Sequence, residues 1–327
     1  MENYMPDIQN VIIAGAGEMG YSLAVLHARA AREVRLTDRD PAVLENALPR
    51  IEDALATLEK AGALPESPAS VRARIKPVTS LHDALPGADL LVEAISENAA
   101  VKQVFYHSLT GEGGSNRPIE LQTLVASNTS GLDIFALAPE SLLPQLYAAH
   151  HFVPAHVVPA VEVVQPANPK PEWTRRLLRH YKKTGAIPVL LKRFCRGFLV
   201  NRLQFALSRE IFALMQEDIA DPADLDLLVK ASLGVRLPVL GVVKRMDFAG
   251  LGMVLNNLRN NDPKAPPPVP LERLVAEGKL GIATGEGFYD YGNRSVNEIC
   301  RERDEKMLQV LLMLQALQEL DVSPRNE

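Results

Sequence analysis

The chain has 327 residues, 47% of them apolar and 23% charged, which suits two domains with packed cores and excludes a disordered or fibrous chain. Thirty-five basic against forty acidic side chains give a net charge of −5, the wrong sign for a protein that grips nucleic acid through its phosphates. Cys195 and Cys300 lie far apart in no metal-type spacing, and no segment reads as a signal peptide or a membrane span, so the sequence predicts a cytoplasmic protein with no metal site and no membrane or nucleic-acid partner.

In chain order, NVIIAG (10–15) reads as a buried strand, residues 18–31 as a helix carrying Met19, Leu23, Leu26 and Ala30 at helical spacing, and VRLTD (34–38) as the next strand. That is a βαβ unit. A helical excursion follows over 41–61, which Pro49 is expected to split in two. Further strands are predicted at 74–78, 89–95, 121–127, 145–150, 161–164 and 187–191, with a helix over 98–110 and a glycine-rich surface insertion at 111–120. Beyond about residue 193 the pattern turns helical. A long amphipathic helix is expected over 197–218, and Asp221 before Pro222 signals another helix start. NDPKAPPPVP (261–270) cannot continue a helix, and 296–320 reads as an amphipathic helix with Val310, Met313, Leu314 and Leu317 on one face. The expected architecture is α/β: a doubly wound sheet over 1–193, then an all-α domain over 194–327.

The sharpest local signal is Gly15-x-Gly17-x-x-Gly20 between a strand and a helix. Gly15 permits the tight turn, Gly17 lets backbone approach a pyrophosphate, Gly20 allows close helix packing, and the free N–H groups at the helix start attract phosphate charge. Asp38 ends the second strand 18 residues after Gly20, where its carboxylate suits the adenosine ribose hydroxyls and repels a 2′-phosphate. NAD is therefore expected over NADP, a preference that Arg39 weakens slightly. Parallel sheets bind ligands beyond their carboxyl ends, which here deliver Ser96, Glu97 and Asn98, then Ser127 and Asn128, then His150 and His151. A histidine beside a nicotinamide can take the proton of an alcohol, with Glu162 orienting the ring. Spacing alone does not choose between the two histidines.

In order, GAGEMG (15–20), VEAISEN (92–98) with Lys102, ASNTS (126–130), HHFVP (150–154), VEVV (161–164), GFLVNR (197–202) and GEGFYDY (285–291) resemble the motifs of the L-3-hydroxyacyl-CoA dehydrogenase family over nearly the whole chain. The resemblance implies a Rossmann-type domain, NAD as cofactor and a helical domain that closes the cleft and forms a homodimer. It assigns His150 as proton acceptor, Glu162 as its partner, and Ser127 and Asn201 to the substrate oxygen. Gly15, Gly17, Glu18, Met19, Gly20 and Asp38 would hold the dinucleotide, and Glu97 and Lys102 its nicotinamide ribose. The implied substrate is a 3-hydroxyacyl group, as a CoA thioester or, in the gulonate, carnitine and lambda-crystallin branch, a free acid.

Two family positions depart from the pattern: an asparagine becomes Val153 and a lysine becomes Ala283. The serine and lysine that grip CoA phosphates elsewhere fall at Ala54 and Ala61, amid Glu52, Asp53 and Glu59, with Lys60 one residue away. Acidic neighbours repel CoA. A nucleotide-binding structural protein on the same fold is the rival from another class, and the retained His150, Glu162, Ser127 and Asn201 argue against it. Lys182 and Lys183 read as a solvated helix face, Trp173 as packing, and His156 as an exposed loop residue. His27, His107 and His180 fall in predicted helices with no motif around them.

Overall fold

The structure, a computed structural model, describes residues 5–111, 118–266 and 268–320. All eight predicted strands form: β1 (Asn10–Ala14), β2 (Glu33–Thr37), β3 (Ile75–Val78), β4 (Leu90–Glu93), β5 (Leu124–Ser127), β6 (Leu146–His151), β7 (Ala160–Val164) and β8 (Ile187–Leu190). They make one sheet in the order β3-β2-β1-β4-β5-β6-β7-β8, parallel up to β6, with β6 and β7 antiparallel and β8 parallel to β7. Strands buried on both faces need apolar residues at every position, which is why their sequences read as continuous runs. Val11, Ile13, Leu90, Val92, Leu124 and Ala126 pack into the core on one face, and Ile12, Ala14, Leu91, Val125, Leu146 and Ala148 into the other.

Helices cover both faces: α1 (Glu18–Ala28), α2 (Pro41–Lys60), α3 (Pro68–Ala73), α4 (Leu81–Ala84), α5 (Ala99–Leu109) and α6 (Pro171–Lys183). Several starts are capped as their sequences suggest: the Asp40 carboxylate accepts from Ala42 N, and Asn98 Oδ1 accepts from Val101 N. The expected break at Pro49 does not occur. Helix α2 runs unbroken for 20 residues, because its buried stripe of Leu44, Ala47, Ile51, Ala54, Leu55 and Leu58 continues past the proline, which sits on the exposed side. Of the insertion expected at 111–120, residues 112–117 lie outside the described residues.

The chain divides into two compact units, residues up to Ala206 and from Leu207 on, so the division falls within α7 (Val200–Gln216). This helix starts three residues later than its sequence pattern suggests, because Gly197 (φ +80°) and Phe198 (φ +50°) adopt left-handed backbone and turn the chain into it. The second unit adds α8 (Pro222–Ala249), bent at Gly241, then α9 (Leu251–Asn261), α10 (Val269–Ala276) and α11 (Val296–Ala316). Val269 and Pro270 open a new helix rather than remaining loop. Helix α11 stops short of residue 320, where Gln318 turns left-handed (φ +59°). Buried Asp247 organises the 281–291 segment, accepting from Phe288 N, Tyr289 N and the Tyr291 hydroxyl at 2.9–3.0 Å. Ala283 lies exposed in a short turn of that segment. No helix among the described residues is long and apolar enough to cross a membrane.

Candidate active site

The strand order reverses between β1 and β4, and the loops leaving those two strands part around a cavity of about 640 Å³. Gly15, Gly17, Asp38, Arg39 and Ser96 are among the residues that line it. A Cβ on Gly15 would lie 2.4 Å from Ala94 O and one on Gly20 1.8 Å from Gly15 O, whereas one on Gly17 would meet nothing within 4 Å. The first and third glycines are thus demanded by the protein's own packing. The second leaves open space at the α1 N-terminus, where free N–H groups face the cavity, and a diphosphate fits that cradle. Asp38 is fixed by Ala16 N on Oδ2 (2.8 Å) and Asp40 N on Oδ1 (3.0 Å), keeping its carboxylate at the rim. Met19 is half-buried, and exposed Glu18 pairs with Arg50, whose guanidinium also lies 4.1 Å from the Tyr21 ring centre.

Antiparallel pairing of β6 with β7 places His150 directly opposite Glu162, twelve residues away along the chain. His150 Nδ1 lies 2.9 Å from Glu162 Oε2. A carboxylate only accepts, so Nδ1 carries the proton and Nε2 keeps a free lone pair. The other oxygen, Oε1, accepts Leu199 N at 2.7 Å and Val200 N at 3.2 Å, the amides that open α7. Phe152 and Phe198 flank the imidazole at 4.6 and 4.9 Å between ring centres. Asn201 donates its amide to Ser130 O at 3.2 Å. Val153, where the family has asparagine, precedes a cis proline and is 56% exposed.

The neighbouring His151 has a different setting. Its Nδ1 faces two acceptors, Ala149 O at 3.0 Å and Asn128 Oδ1 at 3.2 Å, and burial drives its pKa down to about 4. That leaves it neutral and structural, which separates two histidines that spacing alone could not. His156 is a correction: it is buried, not exposed. Its backbone N donates to Ser22 Oγ, which also lies 2.8 Å from its Nδ1, and Arg29 donates to its carbonyl. His27 and His180 have roles too, stacked on each other at 5.0 Å with 3.0 Å between their ring nitrogens. Lys183, on the face read as solvated, pairs with Asp7, and Trp173 is buried.

Ser127 ends β5 with no exposed surface. Its hydroxyl donates to Glu93 Oε2 at 2.6 Å, and Glu93, also wholly buried, accepts Lys102 Nζ at 2.6 Å and the Tyr106 hydroxyl at 2.7 Å. Burial, then the Glu93 charge, pushes the Tyr106 hydroxyl pKa well above its usual range. Glu97 Oε1 collects the Thr129 hydroxyl, Ser130 N and Gly131 N, and Lys102 lies 3.3 Å from its Oε2. Burial pushes the Glu97 carboxyl up, but the Thr129 bond and the Lys102 charge outweigh that and hold it below the ordinary carboxylate range. Glu93 and Tyr106 escape the sequence reading. The available signal is a carboxylate inside an otherwise apolar buried strand, which needs a partner.

Ala54 on α2 lines a small cavity of about 280 Å³ with Arg50, Asp53, Thr57, Pro154 and His156. Ala61 is exposed at the helix end.

A dinucleotide cradle at a switch point, an acid rim residue and a carboxylate-held histidine define an NAD-dependent dehydrogenase. Residues 10–194 match the model of the 3-hydroxyacyl-CoA dehydrogenase NAD binding domain, and residues 197–291 that of the family's C-terminal domain. The chain belongs to the 3-hydroxyacyl-CoA dehydrogenase family. It is 32% identical over 317 residues to a 5-formyl-3-hydroxy-2-methylpyridine 4-carboxylate 5-dehydrogenase of Mesorhizobium japonicum, covering 94% of this chain and 99% of that one. It is equally 32% identical to a probable 3-hydroxybutyryl-CoA dehydrogenase of Bacillus subtilis, covering 88% and 99%. A crystal structure of a 5-formyl-3-hydroxy-2-methylpyridine 4-carboxylic acid 5-dehydrogenase superposes with a TM-score of 0.69 at 29% identity, covering 94% and 99%. One of a 3-hydroxyacyl-CoA dehydrogenase from Archaeoglobus fulgidus shares the fold with a TM-score of 0.75 at 24% identity, covering 94% and 99%.

Proposed function

We propose that the protein interconverts the 3-hydroxyl and 3-keto forms of a 3-hydroxyacyl substrate, with His150 as the proton acceptor. The observation that carries this reading is the 2.9 Å contact of His150 Nδ1 with a Glu162 whose other oxygen is tied to the amides opening α7. NAD, when bound, accepts hydride from the alcohol carbon. Nε2 of His150 takes the hydroxyl proton, and the imidazolium that results stays paired with Glu162. Asn201 holds the substrate oxygen, whereas Ser127, expected to share it, is wholly buried against Glu93 and fixes the loop behind. Asp38, Gly15, Gly17, Gly20 and the start of α1 at Glu18 and Met19 hold the dinucleotide. Glu97 serves its ribose, with Lys102 acting behind it.

The CoA thioester is the first candidate substrate. A free 3-hydroxy acid is the second, favoured by Ala54 and Ala61 in place of phosphate-gripping side chains and by Asp53 in a cavity of only about 280 Å³. NADH formation with 3-hydroxybutyryl-CoA, 3-hydroxybutyrate, gulonate, carnitine and the pyridine carboxylate named for the Mesorhizobium relative distinguishes them. His150→Asn should lower the rate on the best substrate by roughly 10²- to 10⁴-fold. Full turnover by that variant removes His150 from the mechanism.

Exposed Leu207, Phe212 and Met215 on α7 and Leu308, Leu312 and Met313 on α11 support a homodimer formed through the helical unit. Light scattering should return twice the 35.8 kDa chain mass.

A further inference from the structure

Glu18 puts a negative charge beside a cradle shaped for a diphosphate. It is the first residue of α1 and follows Gly17, the glycine whose missing side chain leaves the open space at the helix N-terminus. A carboxylate in that first turn draws on the same positive helix end that attracts the diphosphate, and its own charge repels the ligand. Arg50 meets that charge. Its Nη2 donates to Glu18 Oε2 across 32 positions of sequence, although Asp53 stands three residues along its own helix and lines the same small cavity. Among the described residues Arg50 forms an ion pair with Glu18 and none with Asp53. Tyr21 holds the guanidinium from a second side, with its ring centre 4.1 Å away. The paired side chains stay 40% and 57% exposed, so solvent screens the contact and it adds little to stability. Its effect falls on the field at the α1 start.

We propose that Arg50 is a positioning residue for coenzyme binding: by covering the Glu18 charge it lets an acidic residue stand at the cradle without repelling the diphosphate. Arg50 acts through Glu18 and needs no contact of its own with the coenzyme. With Arg50 gone, the bare carboxylate competes with the diphosphate for the free N–H groups of α1. With Glu18 gone instead, the guanidinium is left as an uncompensated cation beside the cradle and draws the diphosphate in. Removing both returns the field to near its starting value.

The test is a double-variant cycle on NADH affinity, read from nicotinamide fluorescence for the wild type, Arg50→Met, Glu18→Gln and the pair together. Arg50→Met should weaken binding about fivefold at low salt, the upper range for an exposed charge, and Glu18→Gln should tighten it. The double variant should return to within about twofold of the wild type. In about 1 M salt, where charges act over only about 3 Å, the differences among the four should shrink. Arg50→Lys, which keeps the charge, should recover most of the loss. A purely structural Arg50 would show none of this, because removing Glu18 cannot restore lost packing and salt does not screen it. Thermal midpoints check that each variant is folded, and Arg50→Gln replaces Arg50→Met if the apolar side chain disturbs α2. Unchanged affinity in Arg50→Met overturns the proposal, and so does a double variant as weak as Arg50→Met, which would put Arg50 on the coenzyme itself. A wild type that binds no NADH removes the cradle reading, whereas binding without rescue sinks this inference alone.

Discussion

At the residue scale the three glycines of the dinucleotide loop separate by what a methyl group would meet. On Gly20 it would strike Gly15 O at 1.8 Å, a backbone atom that cannot yield without moving the α1 start. On Gly17 it would project into space that the protein leaves open. Gly17→Ala should therefore keep its thermal midpoint within a degree or two while NAD affinity falls by at least about tenfold, because the pyrophosphate loses its closest backbone approach. Gly20→Ala should lower the midpoint itself. Calorimetry and NADH fluorescence on the two variants check this, and equal unfolding of both would show that Gly17 is needed for packing. The same kind of reasoning separates the histidines: His150 faces a carboxylate, whereas His151 faces two neutral acceptors in a dry pocket where burial holds its pKa down at about 4.

At the scale of elements, α2 shows a local rule overruled by packing. An interior proline costs about 3 kcal/mol, yet six buried side chains on either side of Pro49 hold the helix together. Pro49→Ala should accordingly raise unfolding stability by about 1–3 kcal/mol, read from denaturant midpoints, since it restores a hydrogen bond and removes a clash on the exposed side. No gain would mean that the helix already bends to accommodate the ring. Most strands were legible because a sheet covered on both faces favours unbroken apolar runs, and the glycine loop because its spacing is set by backbone clearance. His150 and Glu162 were legible through the family motifs, and the twelve-residue separation becomes an opposed pair only through the antiparallel turn between β6 and β7. What stayed hidden depends on contacts between distant segments. Glu93 meets Ser127 34 positions away, and His27 meets His180 153 positions away, and no local pattern carries such distances.

At the scale of the whole molecule, three buried imidazoles make the fold sensitive to acid. Burial, then the charges of neighbouring imidazoles and Arg32, keeps His27 well below its usual pKa. Burial, aided by His150 and opposed by the Ala149 carbonyl, lowers His151 to about 4, and burial with Arg32 and Arg176 lowers His180 to about 3 against an opposing pull from Asp89. In the unfolded chain each titrates near 6.5. Lowered folded values mean that the unfolded state binds the extra protons, so stability is complete above pH 6.5 and declines as pH falls from there toward 4 and 3. Three groups give a slope of up to about 4 kcal/mol per pH unit. The thermal midpoint should drop steeply between pH 6 and 5, and a flat profile across that range would mean the imidazoles find solvent before the fold yields. His27 Nε2, His151 Nε2, His180 Nδ1 and the Tyr181 hydroxyl have no partner among the described residues, so an N–H formed at those ring nitrogens by protonation meets no acceptor.

Glu162 has two tasks, one oxygen on the imidazole and the other on the opening turn of α7, the helix along which the first compact unit passes into the second. Charging the ring pulls electron density toward one oxygen and loosens the hold of the other on that turn. A charge placed on that ring is therefore felt at the two amides that open α7, through a single side chain.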